Sequence, residues 1–232
     1  MDVLRASITQ LATFYPVNPI IICKTSDSHM PDLTSYPTVK VYDTFVDGSH
    51  IIGAIELLIR KCDTTRFLIL HDSMFLLKAL PPSILDRPFY SLWHFNEESS
   101  SFYNDNHAPF MHHFNISEEE RVRMDIGFRS NPARQWNAIF GPAFGGTMEI
   151  LRIMWSILDL NRDNVAPYLG RHGLMASERV LAFVCIYMGF NTEHSLNGNI
   201  YQHPSAFTVS SIPDFSKLVH PHSYFYKIWM KR

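Results

Sequence analysis

The chain has 232 residues, 46% of them hydrophobic and 18% charged, and a formal net charge of −2. That length and apolar content suit one folded domain with a sizeable core and argue against intrinsic disorder. Balanced charge with no run of Lys or Arg argues against a nucleic-acid partner, and no apolar run reaches the roughly eighteen residues that span a bilayer.

The chain begins "MDVLRASITQLATFYP". Its acidic second residue and interrupted hydrophobicity are unlike a secretory signal, so the expected location is cytoplasmic. Leu4, Ile8 and Leu11 recur at helical spacing and predict a helix from Asp2 to about Phe14, packed outside a sheet. Cys23, Cys62 and Cys185 are odd in number and each sits in an apolar run, which reads as reduced core thiols. His107, His112 and His113 lie in a polar, aromatic stretch without carboxylates or cysteines at ligand spacing, and read as surface.

From Pro19 to about Phe95 apolar runs alternate with helical patterns. "PIIICK", "TVKVYD", "FLIL" and "YSLWHF" predict strands; "SHIIGAIELLIRK" predicts a helix with Ile51, Ile52, Ile55, Leu58 and Ile59 on one face, started by Gly48 and Ser49. This alternation predicts an α/β fold with a mainly parallel central sheet flanked by helices. From Asn96 to about Gln135 polar residues interleave with aromatics, as in an insertion, and Ser117 to Glu120 forms a capping box. Next, Gly145-Gly146 predicts a flexible turn leading into a helix with Ile150, Leu151, Met154, Ile157 and Leu158 inward. A further helix is expected from about Ser177 to Met188. Short strands and loops with Pro204, Pro213 and Pro221 close the chain.

Candidate chemistry clusters where strands end, since ligands of open α/β sheets sit outside the carboxyl ends of the strands. Asp72, with His71 and Ser73, follows "FLIL"; a cation or hydroxyl ligand and a plain turn residue are equally good readings there. Lys24, Thr25 and Asp27 follow the first strand, where Lys24 would suit a phosphate. Gly145-Gly146 would let a ligand approach the backbone. Glu178, placed in a first helical turn after an N-cap Ser177, is a candidate general base, with Arg171 and Arg179 as partners for it or for a substrate phosphate. Trp93, Phe95 and Trp136 are candidates for stacking on a sugar or base.

In chain order, His71-Asp72-Ser73, Phe144-Gly145-Gly146, Ser177-Glu178-Arg179 and a late histidine resemble the motif series of small glycosyltransferases of the GT-A fold, bacterial or viral in type. The resemblance spans about Pro19 to His222. It implies a single GT-A-like (Rossmann-like) domain over residues 1–232, with a nucleotide-sugar half over about 15–95 and an acceptor half over about 96–232. The implied donor is a nucleotide-diphosphate sugar, and the implied acceptor is a glycan, lipid-linked or protein hydroxyl. Inverting transfer would use Glu178 as base and Mn²⁺ or Mg²⁺ held by Asp72, with His71 and His220 as further ligands. Lys24, Thr25, Asp27, Asp72 and Ser73 would bind the donor, while Trp93, Phe95, Phe144, Gly145, Gly146, Arg171 and Arg179 would line the substrate site. The metal motif has one carboxylate where the family usually has two. That departure sustains the alternative of a non-catalytic nucleotide-sugar or glycan binder; a metal-dependent hydrolase would need clustered ligands that the spacing does not supply.

Overall fold

The computed structural model describes residues 3–24, 30–44, 50–96, 114–129, 137–160, 164–166, 169–190, 194–202, 206–209 and 223–230. Over these the protein is mixed α/β. The elements in order are α1 (Val3–Phe14), β1 (Ile20–Lys24), β2 (Val39–Asp43), α2 (His50–Lys61), β3 (Arg66–Ile69), β4 (Met74–Leu76), α3 (Pro82–Leu85), β5 (Phe89–Ser91) and β6 (His94–Asn96). There follow α4 (Glu118–Arg129), β7 (Asn137–Ile139), β8 (Phe144–Thr147), α5 (Met148–Leu158), α6 (Gly170–Tyr187), β9 (Ala206–Val209) and β10 (Phe225–Met230).

The helices with strong apolar periodicity lie where the sequence predicts them. In α2, Ile51, Ile52 and Ile55 are buried and Leu58 and Ile59 partly so, against α5, α6 and β1. In α5, Leu151, Met154, Ile157 and Leu158 are buried. The helix starts at Thr147, whose side chain accepts from Ile150 N, and stops at Asp159 in the left-handed region. The capping box of α4 forms as its spacing requires. Glu120 N donates to Ser117 Oγ at 3.2 Å, and Ser117 N donates to a Glu120 carboxylate oxygen at 2.9 Å. Tyr187 at the end of α6 donates to the other Glu120 oxygen at 2.6 Å, and this bond is the largest influence holding Glu120 down to a pKa of about 2. Helix α1 packs on β4, with Ser7 Oγ donating to Met74 O at 2.7 Å.

The strand arrangement departs from the expected mainly parallel sheet. Strands β1 and β2 are parallel, as are β9 and β10. The other pairings between these strands are antiparallel: β3 and β5 flank β8, β4 pairs with β10, and β6 with β7, while a single parallel bridge joins His94 to Asn199. Alternating strand and helix patterns report local structure only; pairing direction depends on partners distant in sequence.

Two further expectations change. Gly145 and Gly146 form no turn: they lie inside β8, hydrogen-bonded to strands on both sides. A Cβ on Gly145 would fall 2.4 Å from the Tyr90 ring, and one on Gly146 would fall 2.2 Å from Pro88 O, so these glycines permit close packing of the backbone. The last long helix starts at Gly170, well before Ser177, which is fully buried mid-helix. Glu178 therefore lies beyond the first turn, where the helix dipole has faded.

All three cysteines are free. Burial and the Glu56 charge push Cys23 up to about 12, and burial raises Cys62 and Cys185 too. Because the thiolate is the reactive form, labelling of the native protein by a disulfide reagent at pH 8 should be slower than in urea by about tenfold or more, with fully buried Cys185 last. A time course with mass-spectrometric site assignment checks this. Complete native labelling at the denatured rate would contradict the thiol environments.

Candidate functional site

The polar cluster after β3 marks a change of sheet. Strand β3 pairs with β8 and β4 pairs with β10, so the chain crosses from one sheet to another through His71, Asp72 and Ser73. Met74 N donates to His71 O at 3.0 Å and closes the turn. Asp72 is exposed, while His71 and Ser73 are half-buried.

Beneath this turn lies Lys227 of β10, opposite Met74 in the antiparallel register. It is only 6% exposed, and its Nζ donates to Ser73 Oγ at 2.5 Å. Burial pulls its pKa down to about 8, and the carboxylates of Asp72 and Glu178 act in the opposite direction. Sequence reading missed this residue. The available signal was a lone Lys in the apolar aromatic run "FYKIWM", where a buried charge requires partners.

Glu178 reaches the same place from α6. Its Oε1 accepts the backbone N–H of Gly141 at 2.8 Å, and its Oε2 lies 3.8 Å from Arg179 Nη1. Gly141 sits at φ 58° in the turn between β7 and β8; a side chain there would be strained and would press on Met74 Cε at 3.0 Å and the His71 ring at 3.1 Å. The glycine thus lets three segments close together: the His71–Ser73 turn, the Gly141 turn and α6. Arg179 Nη1 donates to Met175 O at 2.8 Å, and its guanidinium lies 5.1 Å over the Phe95 ring. Phe95 in turn meets Phe140 and Tyr201 edge-on.

Lys227 thus contacts Ser73 and feels the charges of Asp72 and Glu178, while Gly141 adjoins both the His71 ring and the Glu178 carboxylate. The other candidates lie elsewhere. Lys24 ends β1 opposite Asp43, and among the described residues no hydrogen bond or ion pair joins it to the cluster. Trp93 is fully buried, 6.1 Å from Phe225 in an edge-on contact. Phe95 and Phe144 are also buried, Phe144 against Phe67 and Phe89. Arg171 belongs to α6. Thr25, Asp27, Trp136, His107, His112, His113 and His220 lie outside the described residues.

The donor set also bears on the expected metal. Mg²⁺ takes six ligands in near-octahedral geometry but keeps several waters, so one or two protein carboxylates together with substrate phosphates complete its shell. Among the described residues no group of three or more His, Cys, Asp and Glu side chains is arranged to hold an ion. Asp72 and His71 are the described residues that would hold Mn²⁺ or Mg²⁺, with His220 outside the described residues, and the remaining ligands would come from the donor diphosphate and water.

Among the described residues no helix is long and apolar enough to cross a membrane. Comparison with known proteins returns no matching family model, no matching curated protein and no matching solved structure.

Proposed function

We propose that this chain is a glycosyltransferase that moves a sugar from a nucleotide-diphosphate donor to an acceptor hydroxyl with inversion, and that its organisation is GT-A-like. One observation carries the reading: Gly141 packs beside the His71 ring of the turn after β3 and donates its N–H to the Glu178 carboxylate of α6, while the buried Lys227 holds Ser73 of that same turn. A donor site and a base are the two things that sugar transfer requires, and these are the residues to which the motif resemblance assigns those roles.

In this reading the chemistry is a single displacement. The Glu178 carboxylate takes the acceptor proton as the acceptor oxygen bonds to the anomeric carbon, and the bond from that carbon to the diphosphate oxygen breaks with its electron pair leaving on the diphosphate. The N–H of Gly141 fixes the base by one oxygen. Positive charge at the diphosphate is the main electrostatic demand, because the leaving group gains negative charge in the transition state.

The test is nucleotide release from a panel of UDP-, GDP- and dTDP-sugars, with Mn²⁺, Mg²⁺ or EDTA, for wild type and Asp72→Ala. Release is expected with at least one donor and should fall about 10²-fold in Asp72→Ala. Donor binding without turnover would turn the reading to the non-catalytic form, and a donor panel neither bound nor consumed would end it. The metal arms decide whether Mn²⁺ or Mg²⁺ takes part.

A further inference from the structure

We propose that Lys227, reached through Ser73, is the diphosphate-binding cation of this site. The inference rests on the transferase reading and assigns to the C-terminal strand a role that the sequence suggested for Lys24 or for a metal held by several side chains. Lys24 is not joined to the cluster among the described residues, and those residues include no group of three or more His, Cys, Asp and Glu side chains that could hold an ion.

The geometry supports Lys227 in three ways. First, it is a charged side chain placed where the surrounding strands would otherwise carry apolar residues. Its neighbours Phe225 and Tyr226 are buried, as is Met74 opposite it. Burying an ammonium costs several kcal/mol unless it is compensated, so stability alone would favour an apolar residue at this position. Second, it lies just beneath a polar opening. Nζ is 2.5 Å from Ser73 Oγ, Ser73 is half-buried, and Asp72 beside it is exposed. A phosphate oxygen that accepts from the Ser73 hydroxyl would lie about 4 Å from Nζ, and a small shift of the flexible four-carbon stem would bring the ammonium into hydrogen-bond contact with it. Third, the carboxylates of Asp72 and Glu178 both act on the ammonium electrostatically, against the downward pull of burial. The leaving diphosphate would develop its charge where the ammonium is already held, with little reorganisation.

Titration calorimetry tests the assignment, with UDP, GDP and dTDP, the matching monophosphates and inorganic pyrophosphate as probes, each in EDTA and in Mn²⁺. Lys227→Met is expected to weaken the preferred nucleoside diphosphate and pyrophosphate by about tenfold or more, the loss of a charge-assisted hydrogen bond, with the monophosphate changed less than about twofold. Lys227→Arg should recover part of the diphosphate affinity. Ser73→Ala, which removes the hydroxyl that holds Nζ, should shift diphosphate affinity in the same direction as Lys227→Met, and it serves as the deciding variant if Lys227→Met does not fold.

Wild-type diphosphate affinity in the folded Lys227 variant would overturn the proposal and leave the transferase reading standing. Equal losses for mono- and diphosphate would also overturn it, by showing a structural role only. If Lys227→Met does not fold, undiminished diphosphate affinity in Ser73→Ala is the overturning result. A wild type that binds no nucleotide and no pyrophosphate would remove the transferase reading together with this one.

Discussion

Replacement of Gly146 by alanine is expected to destabilise the protein by about 3 kcal/mol or more, at the upper end of overpacking costs. The added Cβ would lie 2.2 Å from Pro88 O and 3.1 Å from Phe89 Cα, both backbone atoms of the neighbouring strand segment. No rotamer change relieves such a contact. Moving Pro88 away would also stretch the bond from Thr147 N to Pro88 O, now 3.0 Å, at the junction of β8 and α5. For a chain of this length, with about 2–4 °C of melting temperature per kcal/mol, the loss amounts to roughly 6–12 °C. Gly145→Ala should cost less, since its Cβ meets the Tyr90 ring, a buried side chain that can shift only partly. Gly170→Ala is the control: no atom lies within 4 Å of its Cβ position, but its φ of 66° carries a backbone cost of about 1–2 kcal/mol. Thermal unfolding followed by circular dichroism should rank the variants Gly146, Gly145, Gly170 from most to least damaging. A Gly146→Ala protein that melts within a degree of wild type would contradict the strand assignment of β8.

That expectation reverses the meaning of the glycine pair as a sequence signal. Two adjacent glycines before a threonine and an apolar helix read as a turn, because glycine is rare inside strands. Here the pair has no side chains because the neighbours Tyr90 and Pro88 fill the space, and neither is near in sequence. Helices α2 and α5 were legible for the opposite reason: their information is local, in the spacing of apolar residues and in a capping threonine. The parallel pair β1 and β2 was consistent with alternating texture, yet the antiparallel contacts of β8 and β10 were invisible to it. The sequence reading began α6 at about Ser177, whereas it runs from Gly170; burial of the helix face from Ala176 to Cys185 outweighs the poor propensity of Gly170 and Gly173.

The site divides along the same line. His71-Asp72-Ser73 was legible, since a polar triplet after an apolar strand is a local anomaly. Lys227 lies 154 positions from the serine that it contacts, and only the register of β10 on β4 joins them. Glu178 was selected through a helix start that does not exist there. Its place in the cluster comes from Gly141, whose left-handed backbone lets the turn reach the carboxylate.

Under the proposed transferase reading, Glu178 is the residue whose removal should have the largest effect on turnover. Two variants separate base from anchor. Glu178→Gln keeps a carbonyl oxygen that can accept from Gly141 N, so the turn between β7 and β8 holds, but it removes the charge and the proton-accepting ability. Glu178→Ala also strands the Gly141 N–H, at a further cost of about 1–3 kcal/mol in stability if water does not replace the carboxylate. If the carboxylate is the base, both variants should lose sugar transfer by about 10²–10⁴-fold. Donor affinity should fall far less in Glu178→Gln than turnover does, because the Asp72, Ser73 and Lys227 groups proposed to bind the donor remain. If the carboxylate is only an anchor, Glu178→Gln should retain turnover within a few-fold while Glu178→Ala loses stability and activity together. Nucleotide release, donor affinity and melting temperature measured on the same preparations distinguish the two outcomes. Unchanged turnover in a stable Glu178→Gln protein would move the base to another group and leave Glu178 as the clamp on the Gly141 turn.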